Sequence, residues 1–169
     1  METAVTLDRA IQISLTKPLR RRTETVSLDK ARGRVTAQPL ASRVDDPRFD
    51  NSAMDGFAVR AEDCEDEQTT LTVVGTSQAG GESPPDVGQG QACRIMTGAP
   101  MPRGADAIVM IEDTDVQGKT VTVRGSARTG FIRRRAENLS IGQESLPAGS
   151  LLDSAKLALA GTMGYGTLE

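Results

Sequence analysis

The stretch DDPRFDNSAMDGFAVRAED, residues 45–63, carries five aspartates (Asp45, Asp46, Asp50, Asp55 and Asp63) together with Glu62. Among them stand residues of buried type: Phe49, Met54, Phe57 and Val59. Asp55 followed by Gly56 reads as a hairpin turn pair, since glycine takes the positive φ that such turns require. Two roles for Asp55 stand side by side. It caps the turn, or it is an exposed carboxylate on a stiff turn, with the Asn51 amide and the Ser52 hydroxyl beside it. A carboxylate with neighbouring hydroxyls is an oxygen-ligand set suited to Mg2+, a cation that usually also borrows phosphate oxygens from a substrate.

A second stretch, CRIMTGAPMPRGADAIVMIEDT, covers residues 93–114. A strand ending at Met96 runs into Thr97-Gly98-Ala99-Pro100, a tight turn stiffened by Pro100 and Pro102. It is a proline-rigid hairpin, or a turn where Gly98 admits a ligand and the backbone N–H groups cradle an anion. The Walker pattern G-x-x-x-x-G-K-[ST] is absent. FIRRRAEN adds Arg133, Arg134 and Arg135. Strand alternation places Arg133 and Arg135 on one face and Arg134 on the other, as a solvated strand face or an anion funnel.

Composition narrows the chemistry. The 169 residues include no histidine, which removes Ser-His-Asp and Cys-His catalysis and the commonest general base. Carboxylates, hydroxyls, Lys, Arg, backbone amides or a metal held through oxygen remain. A net charge of −3 argues against a nucleic-acid partner, which usually meets a basic face. Cys64 and Cys93 are too few for a zinc site or a disulfide framework and read as reduced thiols. No apolar run approaches the roughly 20 residues of a membrane span, and the N-terminus lacks a signal-peptide layout. The expected setting is the cytoplasm.

Elements must hold these groups. Leu7, Ala10, Ile11 and Leu15 fall at helical spacing behind Thr6 as N-cap, and Pro18 ends that helix. KPLRRR reads as a solvated linker. A short strand at 25–28, a brief helix opened by Asp29 and a stop at Gly33 follow. Strand-like pieces then succeed one another at 57–59, 70–75, 92–96, 107–111 and 119–124, separated by Gly-, Pro- and Asp-rich turns such as TDVQGK. Asp153 caps a last helix, with Leu157, Ala158 and Ala160 packing inward; Gly161 or Gly164 ends it, and YGTLE starts another strand. The expected fold is mixed α/β and mostly β. A barrel- or sandwich-like domain, 42–142, is inserted into a small α/β domain built from 1–41, N-terminal helix included, and 143–169.

PRFDNSAMDGFAVRAED, then CRIMTGAPMPRGADAIVMIEDT, then IRRRAENLSIGQ resemble the molybdopterin molybdenumtransferase family, which includes MoeA and the gephyrin E-domain, over essentially the whole chain. The resemblance implies an elongated homodimer in which Mg2+ and adenylylated molybdopterin meet molybdate, and AMP is released as the metal enters the dithiolene. It implies active-site roles for Asp55, orienting the Mg2+–phosphate assembly, and Thr97, hydrogen-bonding the anionic substrate. Asn51, Ser52, Gly56 and Gly98 would shape the same wall, with Arg133 and Arg135 as further substrate contacts. Molybdopterin adenylyltransferase is the implied upstream partner. The chain departs from the family in reading Ala136-Glu137-Asn138 where Gly-Glu-Asp is common, so Asn138 supplies no acid. The family's cofactor-binding domain and C-terminal β domain would come after residue 169. A fragment of this extent is expected to be inactive alone; the other reading is a non-catalytic binding or scaffold module for cofactor-synthesis partners.

Overall fold

The computed structural model describes residues 4–16, 22–66, 68–124 and 127–169. Helix α1 (Leu7–Thr16) opens at Thr6, whose hydroxyl accepts the Arg9 N–H at 3.4 Å, as expected of a threonine N-cap. The reading of Pro18 as its stop, and most of KPLRRR, lie outside the described residues. Short strands β1 (Val26–Ser27), β2 (Leu40–Ala41) and β3 (Asn51–Ser52) come next. The ladder strands are β4 (Gly56–Val59), β5 (Thr69–Ser77), β6 (Gln91–Ile95), β7 (Ala107–Met110), β8 (Thr114–Gln117) and β9 (Thr120–Val123). Strands β10 (Ile132–Arg133) and β11 (Glu144–Leu146) lead to helix α2 (Ser154–Thr162) and β12 (Thr167–Leu168).

Six strands form one sheet in the order β7-β4-β6-β5-β9-β8, antiparallel throughout except for the parallel pair β5–β6. Laid flat, five strand spacings would separate the edges by about 24 Å. Yet the edge strands β7 and β8 are consecutive, joined by the single 3-10 turn Ile111–Asp113. Four Cα–Cα steps reach about 15 Å at most. The sheet must therefore curl into a half-barrel. Alternation then assigns its two faces: Phe57, Val59, Ala92, Ala107, Val109, Val121 and Val123 share one buried cluster, while Ala58, Cys93, Ile95 and Ile108 turn to the other. The mostly β fold expected from the sequence is the fold observed.

The expected turn TDVQGK is in part a strand. TDVQ is β8, an edge strand whose Val116 is 51% exposed, so burial leaves no alternating signature there. The turn proper is Gly118-Lys119, between the paired Gln117 and Thr120.

Both chain ends meet in a third buried cluster, which holds Ala31, Leu40, Leu139, Leu146, Leu152, Ala160, Met163 and Leu168. Strand β1 pairs with β12 and β2 with β11, both antiparallel. Asp153 caps α2, its Oδ1 accepting the Lys156 N–H at 2.8 Å. Within α2 the inward positions differ slightly from expectation. Ala160 is buried and Leu157 and Leu159 pack against the cluster, but Ala158 faces solvent. Helix α1 departs further, since none of its residues is buried and Leu7 and Leu15 are 78% and 80% exposed. Its apolar stripe does not join the cluster of the chain ends. No helix among the described residues is long and apolar enough to cross a membrane.

Candidate functional site

The candidate site forms where β4 begins and β6 ends. Gly56 pairs with Ile95 across the antiparallel ladder, so Asp55, one residue ahead of β4, stands beside the loop leaving β6. There Asp55 Oδ1 accepts both the Thr97 N–H at 2.7 Å and the Thr97 hydroxyl at 2.9 Å. Both residues are exposed. The Thr97 amide, and then its hydroxyl, hold the Asp55 carboxyl below the ordinary carboxylate value; partial desolvation opposes them, and the Arg94 charge adds to the lowering. Asp55 Oδ2 accepts no hydrogen bond from the described residues.

The turn after β6 is rigid, but not through a free backbone. Gly98, at φ +79, donates its N–H to Ser52 O at 2.8 Å, and Ala99 donates to Met96 O at 3.0 Å. With the Thr97 amide on Asp55, none of these three N–H groups is left for an anion. The turn is rigid but is no hairpin, since β6 and β7 flank β4 and do not pair with each other, and the amide cradle does not form.

Three of the expected wall residues lie behind the surface. Ser52 is fully buried, its hydroxyl donating to Met54 O at 2.5 Å and accepting the Met54 N–H at 3.1 Å. Asn51 is 7% exposed and donates its side-chain amide to Phe49 O at 3.3 Å. Gly56 is buried within β4 and is not among the residues of positive φ. It is no hairpin residue: a Cβ there would fall on the Val109 carbonyl oxygen of β7. Ser52 and Gly56 shape the Asp55 turn from inside, and Asn51 lies behind it with its side-chain Oδ1 accepting no hydrogen bond from the described residues.

The arginines form no funnel. Only Arg133 lies in β10, so strand alternation does not continue to Arg135. Arg133 Nε is 3.8 Å from Glu137 Oε1. Arg134 donates to Asp50 Oδ2 at 2.7 Å, and Arg135 donates through Nε to Asp45 Oδ2 at 2.6 Å. The Arg135 amide reaches Asp50 Oδ1 at 2.8 Å, and the Ile141 amide reaches Asp45 Oδ1 at 2.9 Å. These backbone donors come first in holding the Asp50 and Asp45 carboxyls below their ordinary values, with the arginines assisting. Asn138 donates its side-chain amide to Asp46 Oδ2 at 2.8 Å. The acids of residues 45–50 thus fasten the chain to the Arg-rich turn. Ala136 within that turn adopts φ +62, a left-handed conformation that glycine takes without steric strain.

Sequence reasoning passed over Arg94. The available signal was a single charged residue in the short, otherwise buried strand that leads to Thr97. Among the described residues no group of three or more acids or cysteines could hold a metal ion. Asp55 Oδ2 fits Mg2+ as one oxygen ligand, in a set that water and phosphate oxygens would complete.

Residues 5–164 match the family described as MoeA N-terminal region (domain I and II), and the chain belongs to that family. Its relatives include the molybdopterin molybdenumtransferase of Nostoc sp., 40% identical over 142 residues, covering 81% of this chain and 33% of that protein. The molybdopterin molybdenumtransferase of Haemophilus influenzae is 36% identical over 168 residues, covering 98% and 41%. A crystal structure of a molybdopterin biosynthesis MoeA protein from Pyrococcus horikoshii superposes with a TM-score of 0.86 at 29% identity, covering 98% of this chain and 44% of that one. The chain therefore spans 33% to 41% of the length of these two curated relatives.

Proposed function

We propose that this chain is the N-terminal part of a molybdopterin molybdenumtransferase. It would supply the Asp55–Thr97 pair to a site that inserts molybdate into adenylylated molybdopterin, with Mg2+-dependent release of AMP. The observation that carries this reading is the double hydrogen bond from Thr97 to Asp55 Oδ1, which fixes and ionises the carboxylate and leaves Oδ2 open. Asp55 would hold Mg2+ through that oxygen; bound there, the ion would neutralise developing charge on phosphate oxygens. Thr97 acts first on Asp55, because its hydroxyl proton already has that acceptor. It reaches an anionic substrate as a donor only by exchanging one acceptor for the other. The pair is exposed, so excluding water from it takes a second surface. A partner subunit in a homodimer would provide that surface, and a cytoplasmic adenylyltransferase would provide the substrate.

The test uses a chimera in which residues 5–164 replace the matching region of the Nostoc transferase. Release of AMP from adenylylated molybdopterin is followed with Mg2+ and molybdate present. We expect turnover, and a loss of about 100-fold or more in Asp55→Ala, the scale of removing a group that stabilises a charged transition state. Undiminished turnover in a folded Asp55→Ala chimera would return Asp55 to a turn cap. A folded but inactive parent chimera would leave the chain as a docking module.

A further inference from the structure

Arg94 is the one charged residue of β6, where Ala92, Cys93 and Ile95 are fully buried. Its Nη1 is buried and meets no hydrogen-bond acceptor. Its guanidinium lies 5.2 Å from the centroid of the Phe57 ring. Phe57 is the cross-strand partner of Arg94, so the two side chains share a face of the sheet. Asp55 immediately precedes Gly56 and Arg94 immediately precedes Ile95, and Gly56 and Ile95 are cross-strand partners. Asp55 and Arg94 therefore adjoin the same cross-strand pair at this end of the ladder, near enough for the Arg94 charge to help lower the Asp55 carboxyl. Thr97 follows Arg94 by three residues.

A buried guanidinium N–H without an acceptor has given up its water and gained nothing in return. The nearby carboxylate does not compensate it: among the described residues Arg94 makes no hydrogen bond or ion pair, Asp55 Oδ1 is held by Thr97, and Asp55 Oδ2 accepts no hydrogen bond. Leaving the Phe57 ring forfeits a weak contact, whereas a phosphate offers charge-assisted, fork-shaped hydrogen bonding that suits a guanidinium. We infer that Arg94 is the anion-binding residue of the Asp55–Thr97 site, turning from the Phe57 ring to donate to a phosphate oxygen of the ligand. Carboxylate and guanidinium then divide the ligand between them, Asp55 facing a cation and Arg94 the phosphate. The ligand class is a phosphate ester carrying a divalent cation. This inference rests on Asp55–Thr97 being the functional site, as proposed above.

The experiment titrates the 169-residue chain with AMP, and in parallel with inorganic phosphate, each with and without Mg2+. The NMR signals of Arg94 Nε–Hε and the Thr97 amide are followed. Both should shift together as AMP is added. Arg94→Met, with its circular dichroism unchanged, should raise the apparent Kd at least about tenfold, the weight of one hydrogen bond to a charged group. Arg94→Lys should recover part of the loss. Equal shifts with inorganic phosphate place recognition on the phosphate alone, as inferred; a response to neither ligand overturns the inference. So does an Arg94 signal that stays fixed while AMP binds, or an Arg94→Met chain that binds as tightly as the parent. The two readings fail separately. Arg94-dependent AMP binding alongside an active Asp55→Ala chimera would sink the catalytic assignment and leave the anion site standing.

Discussion

Asp45 and Asp50 spend both carboxylate oxygens, on Arg135 and the Ile141 amide and on Arg134 and the Arg135 amide. Among the described residues Asp46, Asp63 and Asp55 each keep one oxygen open, and of these only Asp55 has the other oxygen held by two donors, both from Thr97. Residue type and local spacing could not separate the five. The partners that decide between them come from 27 to 96 residues away in the chain. Asp55 and Thr97 were legible as candidates because each sits in a turn of unusual composition; their direct contact, 42 residues apart, was not. Ala136 gives a test at this scale. It holds φ +62 while donating its N–H to Pro47 O at 3.0 Å, and a left-handed non-glycine residue costs about 1–2 kcal/mol. Glycine removes that strain and returns part of it through the larger entropy of its unfolded chain. Ala136→Gly should stabilise the protein by about 0.5–1 kcal/mol, read as a higher urea midpoint at unchanged slope. A lower midpoint would mean that the turn is not left-handed in solution.

Strands were legible where burial imposes a pattern and illegible where it does not. Residues 107–110 and 120–123 announce β7 and β9 because their apolar positions face a core. The edge strand β8 has no such constraint, and its Thr-Asp-Val-Gln reads like the turn it precedes. Asp55-Gly56 failed in the opposite sense. The dipeptide has hairpin composition, but its glycine is the first residue of β4, paired with Ile95 on one side and Met110 on the other. Gly56 is fixed by crowding from a neighbouring strand's backbone, a constraint that only the three-dimensional sheet contains. Gly56→Ala would drive a methyl into the Val109 carbonyl, and both strands must shift to admit it. We expect a loss of about 1–3 kcal/mol, the usual cost of overpacking, measured by urea denaturation. The displaced start of β4 should also move the Thr97 amide resonance. A variant as stable as the parent would show that β4 and β7 separate easily at this point.

The molecule as a whole carries its core in separate pieces. The clusters of the six-stranded sheet share no residue with the cluster of Ala31, Leu40, Leu139, Leu146, Leu152, Ala160, Met163 and Leu168, which draws on both chain ends. Such a division lets the two regions unfold as distinct cooperative units, and the sequence provides a probe for one of them. Tyr165 is the only tyrosine, and there is no tryptophan. It packs against the cluster of the chain ends, with Arg43 3.8 Å from its ring centroid and its hydroxyl donating to Ala41 O at 2.9 Å. Tyrosine fluorescence therefore reports that cluster alone, while far-UV circular dichroism is dominated by the sheet. Met163 is fully buried in the same cluster, and truncating such a methionine to alanine costs about 2–5 kcal/mol. In Met163→Ala the fluorescence transition should move to clearly lower urea, while the circular dichroism transition keeps most of its amplitude near the parent midpoint. If both signals move together by the same amount, the ends and the sheet fold as one unit, and the inserted-domain organisation read from the sequence does not describe how the chain is stabilised.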